Sequence, residues 1–136
     1  MIQVFCDKIG SGKTKRLIEL ANSKVINSKG DSIYIDNNSK YIRTINRKIR
    51  FISTNDFEIS DCESLYGLIC GLISENYDIE NIYIDSILNI VSCGIKETSY
   101  LFTKLCEVAN KYNINLYINI DLDKADMPEF IKKYVA

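Results

Sequence analysis

The sequence predicts a three-layer α/β/α fold, in which a mostly parallel sheet of about five strands is covered by helices on both faces. Short runs of β-branched and aromatic residues alternate along the chain with amphipathic helical segments, which is the pattern of parallel sheets. The chain has 136 residues, of which 46% are hydrophobic, so it is long enough to bury one core. Because it contains no linker, repeat or low-complexity tract, we expect a single domain over residues 1–136.

The first elements are a strand, a glycine loop, a helix and a second strand. Residues 2–6 are apolar with β-branched and aromatic members, which predicts the strand. Apolar residues recur at helical spacing over 13–24, and the tetrapeptide at 28–31 has turn composition. Residues 32–36 (SIYID) then predict a strand that ends in a carboxylate.

The middle of the chain is polar and basic before it becomes apolar. We expect residues 37–48 to contain a short helix and residues 50–53 to form a short strand. Ser60 and Glu63 have the spacing of a capping box, and they predict a helix that continues to about Asn76.

The last third repeats the alternation of strand and helix. We expect strands at 82–85 (IYID) and 115–121 (NLYINID), with a helix at 95–112 between them. Asp126 and Pro128 predict the N-cap and first-turn proline of a final helix to Tyr134.

Between the first strand and the first helix, Asp7 to Thr14 reads DKIGSGKT, close to the phosphate-binding pattern G-x-x-x-x-G-K-[ST]. Glycines let backbone N–H groups close around a phosphate, and the start of the following helix attracts the same anion. Lys13 is expected to reach the β- and γ-phosphates and Thr14 to place its hydroxyl on Mg²⁺. The predicted nucleotide-binding residues are Ile9, Gly10, Ser11, Gly12, Lys13, Thr14 and Lys15.

Asp7 departs from this pattern, which has glycine at that position. Aspartate tolerates unusual backbone angles better than most residues, so the turn is compatible with it. Its charge opposes phosphate binding unless the side chain points away.

A site of this kind also needs a carboxylate at the end of another strand to hold Mg²⁺ through water. Asp85 fits that role, because its strand lies centrally in the chain between two long helices. Lys13 and Asp85 are therefore the predicted catalytic residues, and Thr14 and Asp85 the predicted metal residues. Asp36 and Asp121 end other strands at the same edge, and each remains a candidate to orient water.

No glutamate accompanies Asp85, since Ser86 and Ile87 follow it. Many ATPases use such a glutamate to activate water. We therefore expect hydrolysis to be slow or to need a partner that completes the site.

Charge and cysteine content constrain the cellular setting. The net charge of −1 gives no strong overall attraction to nucleic acid or lipid. Five scattered cysteines, no C-x-x-C pair and no histidine predict reduced thiols and no zinc site. No signal peptide is visible, and no apolar run approaches the ~20 residues that span a bilayer. We expect a cytoplasmic protein.

Two further features suggest contacts with other molecules. A basic cluster follows the second strand, and in it Arg43 and Arg47 are predicted to share a helix face. The cluster has three possible roles: an arginine finger toward a neighbouring nucleotide, contacts to nucleic-acid phosphates, or a solvated charged surface. Gly67 and Gly71 lie in the most apolar helix and predict close packing, either on the sheet or at a subunit interface. The basic cluster consists of Lys40, Arg43, Arg47, Lys48 and Arg50.

Three segments carry a family resemblance: IQVFCDKIGSGKTKRLIELAN, SIYIDNN and YGLICGLISENYDIENIYIDSI. They resemble small phosphate-loop proteins of clostridia-like bacteria, which are often labelled "twitching motility protein PilT" or "ATP-binding protein". The similarity covers nearly the whole chain and implies a RecA-like or kinase-like core. Pilus-retraction motors are longer and carry a histidine-containing motif that is absent here, so motor activity and hexamerisation do not carry over.

The function predicted from these features is Mg-ATP binding, with weak or partner-dependent ATPase activity in an unknown process. The N-K-x-D motif that reads guanine is absent, which favours ATP. The alternatives are a nucleoside- or nucleotide-type kinase, although no paired-cysteine lasso or arginine-rich lid is present, and a nucleic-acid-associated ATPase. The expected partners are the nucleoside triphosphate and a second protein or copy of the chain.

Overall fold

The computed structural model describes all 136 residues and contains five strands and five α-helices. The elements are, in chain order, β1 Ile2–Asp7, α1 Lys13–Val25, β2 Asp31–Asp36, β3 Ile49–Ser53, α2 Cys62–Glu75, β4 Ile79–Ile84, α3 Ile87–Val91, α4 Ser99–Lys111, β5 Asn115–Asp121 and α5 Glu129–Lys132.

All five strands form one sheet in the order β1-β5-β4-β2-β3, and every neighbouring pair is parallel. The carboxyl ends of all the strands therefore meet at one edge, where folds of this type bind ligands. β4 is the central strand, and β5 separates it from β1. This topology confirms the predicted parallel sheet of five strands.

Side chains alternate between the two faces of each strand, so both faces of the sheet carry apolar residues that helices bury. The helices are divided unequally between the faces. On one face α1 packs against a row of tyrosines through Leu17, Ile18, Ala21 and Val25. The other face carries α2 to α5 and the larger hydrophobic cluster. The predicted three layers are thus present, with one layer made almost entirely of α1.

The row beneath α1 consists of four aromatic side chains at matching register on neighbouring strands. Tyr34 stacks on Phe51 and Tyr83 with ring centroids 6.0 and 6.1 Å apart, and Tyr83 stacks on Tyr117 at 5.0 Å. Stacked aromatic neighbours stabilise a sheet by about 0.5–1.5 kcal/mol per pair beyond their burial. The Tyr34 ring therefore lies between two aromatic neighbours, Phe51 and Tyr83.

Two helix starts differ from the sequence prediction. The cap of α2 is Asp61 rather than Ser60, since the Asp61 carboxylate accepts a 2.7 Å bond from the Ser64 N–H. The final helix is one turn that begins after Pro128, and Asp126 instead ends a 3-10 turn capped by Asp123. An aspartate therefore caps α2 and the 3-10 turn, whereas the start of α5 has no side-chain cap.

Other differences concern short segments. The predicted helix over 95–112 opens with a 3-10 turn before α4, and α3 is an additional five-residue helix. In the basic cluster, only residues 42–44 form a 3-10 turn, and Arg47 lies in a reverse turn beyond it. The expectation that Arg43 and Arg47 share a helix face is therefore wrong.

Gly67 and Gly71 lie on the solvent side of α2. A Cβ built on either glycine meets no atom within 4 Å. These glycines therefore do not pack against the sheet, which was one of the two roles predicted for them. None of the helices is long and apolar enough to cross a membrane.

Candidate functional site

The loop between β1 and α1 is shaped by two glycines in the left-handed region. Gly10 has φ 84° and Gly12 has φ 89°, and a Cβ on either would meet nothing within 4 Å. The glycines are needed for their backbone angles, since the space around them is open. Gly12 precedes the first residue of α1, whose N-terminus has no side-chain cap and no acidic residue in its first turn. The helix dipole and free N–H groups there favour an anion.

Lys13 lies inside this loop with a side chain only 5% exposed. Its Nζ donates to the Lys8 carbonyl at 2.8 Å and to Ser11 Oγ at 3.3 Å. It also forms an ion pair with Asp121 Oδ1 at 2.7 Å. A buried ammonium needs such a counter-charge, and Asp121 supplies it from the end of β5.

Asp85 follows β4 directly, is 1% exposed and receives four hydrogen bonds. Oδ1 accepts from Thr14 Oγ1 at 3.3 Å, from Ser86 Oγ at 3.3 Å and from Asn119 Nδ2 at 3.1 Å. Oδ2 accepts from the Tyr34 hydroxyl at 3.0 Å. The carboxylate is thereby fixed beside the first turn of α1, with donors from four different elements or loops.

Asp36 ends β2, the strand next to β4, and is 4% exposed. Burial, followed by the charge of Asp85, raises the pKa of Asp36 to about 7, although Asp36 Oδ1 accepts a 2.7 Å bond from the Asn37 N–H. This carboxyl group can therefore exchange a proton near neutral pH. Burial and the neighbouring Asp85 also raise the pKa of Tyr34, which keeps its hydroxyl a donor.

Asp7, the departure from the phosphate-loop pattern, is satisfied locally. Its Oδ1 accepts a 2.9 Å bond from the Lys8 N–H, and this bond holds the pKa of Asp7 below its usual value. Asp7 lines a cavity at the β1 edge and not the one beside Gly10, Gly12 and Thr14. The Asp7 carboxylate therefore keeps its charge and is held by the backbone of the next residue.

The cavity beside the loop measures about 760 Å³. It extends from Lys13 and Thr14 along α1 to Asn22, Tyr41 and Thr44. Asn22 is held in place, since it donates to the Thr44 carbonyl at 2.9 Å and accepts from the Asn46 N–H at 2.8 Å. The volume suits a ligand of nucleotide size.

The predicted residues fall into an inner and an outer group. Lys13, Thr14 and Asp85 are brought together with the rival carboxylates Asp36 and Asp121. Ile9, which is 82% exposed, and Lys15 lie at the rim of the cavity. The side chains of the basic cluster are all exposed, and none lines this cavity.

Sequence reasoning missed three groups in this region. Tyr34 and Asn119 both hold Asp85, and Asn119 Oδ1 is a buried acceptor without a partner. Tyr41 lines the cavity. The available signal for Asn119 was a polar residue inside an otherwise apolar strand, two positions before Asp121.

No family model matches the chain, and no curated protein matches its sequence. Among solved structures, 83 chains match. One is the flagellar accessory protein FlaH from Methanocaldococcus jannaschii, with a TM-score of 0.59 and 11% identity. The match covers 97% of this chain but only 65% of that protein, so the chain spans less than two thirds of FlaH. These comparisons show that the chain shares the RecA-like α/β fold of FlaH, and they give no sequence evidence for the predicted family.

Proposed function

We propose that this chain binds Mg-ATP at the loop formed by residues 7–14 and is a weak or partner-dependent ATPase. The observation that carries the proposal is the 3.3 Å contact between Thr14 Oγ1 and Asp85 Oδ1. It joins a hydroxyl at the start of α1 to a buried carboxylate that follows β4. A phosphate loop with these two partners is the arrangement that holds a metal-bound nucleoside triphosphate.

The residues present fit Mg²⁺ in their chemistry. The Thr14 hydroxyl, the Asp85 carboxylate and the unpartnered Asn119 Oδ1 are hard oxygen donors. No group of three or more His, Cys, Asp or Glu side chains could hold a metal ion by itself. That fits Mg²⁺, which is commonly held by one or two carboxylates together with substrate phosphates. Bound there, the ion would neutralise phosphate charge.

Lys13 and the backbone of Gly10 and Gly12 would bind the phosphates themselves. The ammonium already lies within the loop, so phosphate oxygens would take the place of the carbonyl and carboxylate that it now contacts. The 760 Å³ cavity leads from these groups to Tyr41, whose half-buried ring offers a stacking surface for the base.

Asp36 is the carboxylate best suited to orient water for hydrolysis. It is buried at the end of the strand next to β4, whereas Asp121 is engaged by Lys13 at 2.7 Å. An aspartate is one methylene shorter than the glutamate that other ATPases use. We therefore expect slow turnover by the purified chain, with phosphate release below the usual enzymatic range of about 1–10³ s⁻¹.

The decisive experiment is calorimetric titration of ATP with Mg²⁺ into the wild-type protein and Lys13→Ala. Loss of a charge-assisted contact should weaken binding by about 2–3 kcal/mol, roughly 30- to 150-fold. Lys29→Ala removes the same charge from an exposed turn and should bind as the wild type does. Equal affinity of Lys13→Ala and Lys29→Ala would overturn the proposal.

A second candidate, a nucleic-acid-associated ATPase, is favoured by the basic cluster. Residues 37–50 contain five cations and no acid, and none of the cations forms an ion pair. Stimulation of phosphate release by single-stranded DNA or RNA, lost in Arg43→Ala with Arg47→Ala, would support it. If the rate of phosphate release in the presence of nucleic acid did not change with salt concentration, this candidate would be rejected, because contacts to nucleic-acid phosphates depend strongly on salt.

We further propose a cytoplasmic location and membership in the small phosphate-loop family named above. ATP binding without turnover would favour a switch or regulatory subunit. Transfer of labelled γ-phosphate to a nucleoside would instead identify a kinase.

A further inference from the structure

Two of the five cysteines touch each other on the helical face opposite α1. Cys62 is the first residue of α2, and Cys93 lies two residues after the end of α3. Their Sγ atoms are 3.7 Å apart, and both side chains are half-buried. The other three cysteines have partners of other kinds; for example, Cys6 Sγ donates to the Leu122 carbonyl at 3.2 Å.

The separation is a van der Waals contact between two sulfur atoms. A disulfide bond is about 2.05 Å long, so the sulfurs must approach by less than ~2 Å. Cys62 is held by the capped first turn of α2. Cys93 is flanked by Ser92, with φ 52°, and by Gly94, and it follows a helix of only five residues. The short segment that contains Cys93 is the side able to make that movement.

We propose that Cys62 and Cys93 are a dithiol–disulfide site, oxidised by a low-molecular-weight disulfide of the glutathione type, that ties the segment after Asp85 to α2. The Cys93 thiolate attacks the small disulfide, forms a mixed disulfide and releases one small thiolate, which takes up a proton. Cys62 then loses its proton and attacks the Cys93 sulfur, which displaces the second small thiol. Two protein thiols lose two electrons and two protons, and one small disulfide becomes two small thiols.

The surroundings of Cys62 favour its protonated thiol form. Burial, the contact with Cys93 and the nearby acids Asp61 and Glu97 raise the pKa of Cys62 to about 11. The thiolate is the attacking form in disulfide exchange, so a raised pKa within this pair slows its oxidation. In intracellular proteins such pairs are commonly transient or redox-sensing rather than structural.

The bond would act on the segment that begins at the candidate metal site. Ser86 donates to Asp85 and starts α3 with φ 53°, and Ser92 ends α3 with a similarly positive φ. Both ends of α3 are therefore at backbone angles that non-glycine residues adopt rarely. A covalent link at Cys93 would fix the segment from Ser86 to Cys93 against α2, both with and without bound nucleotide.

The test is incubation of the fully reduced protein with glutathione disulfide, followed by denaturation, alkylation of the remaining thiols and peptide mapping. We expect three alkylated cysteines in place of five and a linked peptide pair that contains Cys62 and Cys93. The melting temperature should rise by about 10 °C, because the bond closes the chain between Cys62 and Cys93 into a loop and so lowers the entropy of the unfolded state. A reducing agent should reverse both changes.

Matched variants separate this bond from general oxidation. Cys62→Ser should retain a stable glutathione adduct on Cys93, and Cys93→Ser should form no bridge. Neither variant should gain thermal stability, while Cys106→Ser should still form the bond. Five alkylated cysteines after treatment, or a bridge that maps to another pair, would refute the proposal. The wild-type peptide map decides the question even if a serine variant folds poorly.

Discussion

The Lys13 ammonium and the Asp121 carboxylate form a 2.7 Å ion pair beside the glycine loop between β1 and α1. β5 lies beside β1, with Asp7 and Asp121 as register partners, so the end of β5 reaches the loop directly. Without a ligand, Asp121 therefore supplies the negative charge that a phosphate would bring. If the proposed function is correct, a nucleotide must displace Asp121 from Lys13 or be repelled by the Asp121 charge.

We accordingly predict that Asp121→Asn binds ATP more tightly than the wild type, by up to about tenfold. The substitution removes both the competitor for Lys13 and a negative charge near the phosphates, worth about 1 kcal/mol at a partly exposed site. The ligand-free protein should lose about 1–3 kcal/mol of unfolding free energy, since Lys13 loses its counter-charge. Calorimetry and urea unfolding measure the two effects.

Asp123→Asn is the control for this change. Asp123 pairs at 3.3 Å with Lys8, whose side chain is 71% exposed, so the ion pair is well solvated. Both affinity and stability should stay close to wild type. If Asp121→Asn binds ATP more weakly than Asp123→Asn, Asp121 orients Lys13 for the phosphates and does not compete with them.

A second prediction concerns the pH dependence of stability. The pKa of Asp36 is raised to about 7 in the folded protein, from an ordinary value of 3.8. The folded state thus binds more protons than the unfolded state between these values. The contribution of protonated Asp36 to the free energy of unfolding is complete below about pH 4. It is lost as pH rises to about 7, at up to about 1.4 kcal/mol per pH unit. Asp36→Asn does not titrate and should become more stable than wild type as pH rises.

Urea unfolding at several pH values between 4 and 8, in buffer with a metal chelator, measures this difference. The gap between Asp36→Asn and wild type should widen through this window and then level off. Asp56→Asn, at an exposed position, should retain the wild-type profile. A gap that is independent of pH would show that Asp36 does not titrate with a raised pKa.

The third prediction uses two tyrosines of the same aromatic row. The Tyr34 hydroxyl donates to Asp85 at 3.0 Å, whereas the buried Tyr83 hydroxyl has no partner. Tyr34→Phe should therefore lose about 1.5–3 kcal/mol of unfolding free energy, the range for hydrogen bonds to charged groups. Tyr83→Phe should be neutral or stabilising, because it removes an unsatisfied buried group.

Tyr34→Phe should also raise the Mg²⁺ concentration needed for half-maximal ATP binding, by a few-fold, because Asp85 becomes less rigidly held. A titration of Mg²⁺ at fixed ATP gives this value. Equal stability of the two phenylalanine variants would mean that the Tyr34 bond to Asp85 contributes nothing measurable.

The sequence predicted the strand, the glycine loop and the helix around residues 7–14, because glycine, lysine and threonine occur there at fixed spacing between an apolar run and a helical pattern. It could not distinguish the roles of Asp36 and Asp121, since these depend on strand order. Asp121 meets Lys13 because β5 neighbours β1, and Asp36 approaches Asp85 because β2 neighbours β4. The five residues of α3 are too few to show helical periodicity. The contact of Tyr34 with Asp85 was not predicted, because a single sequence does not reveal where a buried hydroxyl points.

The last prediction contrasts glycines in the loop and in α2. Gly12 has φ 89°, so Gly12→Ala should destabilise the protein by about 1–2 kcal/mol even though the space around it is open. Gly67 and Gly71 have helical backbone angles and equally open surroundings, so alanine at either should stabilise the protein by about 0.5–1 kcal/mol. Urea unfolding of the three single variants measures both signs. Destabilisation by Gly67→Ala or Gly71→Ala in a concentration-dependent manner would instead indicate that α2 packs closely against another subunit.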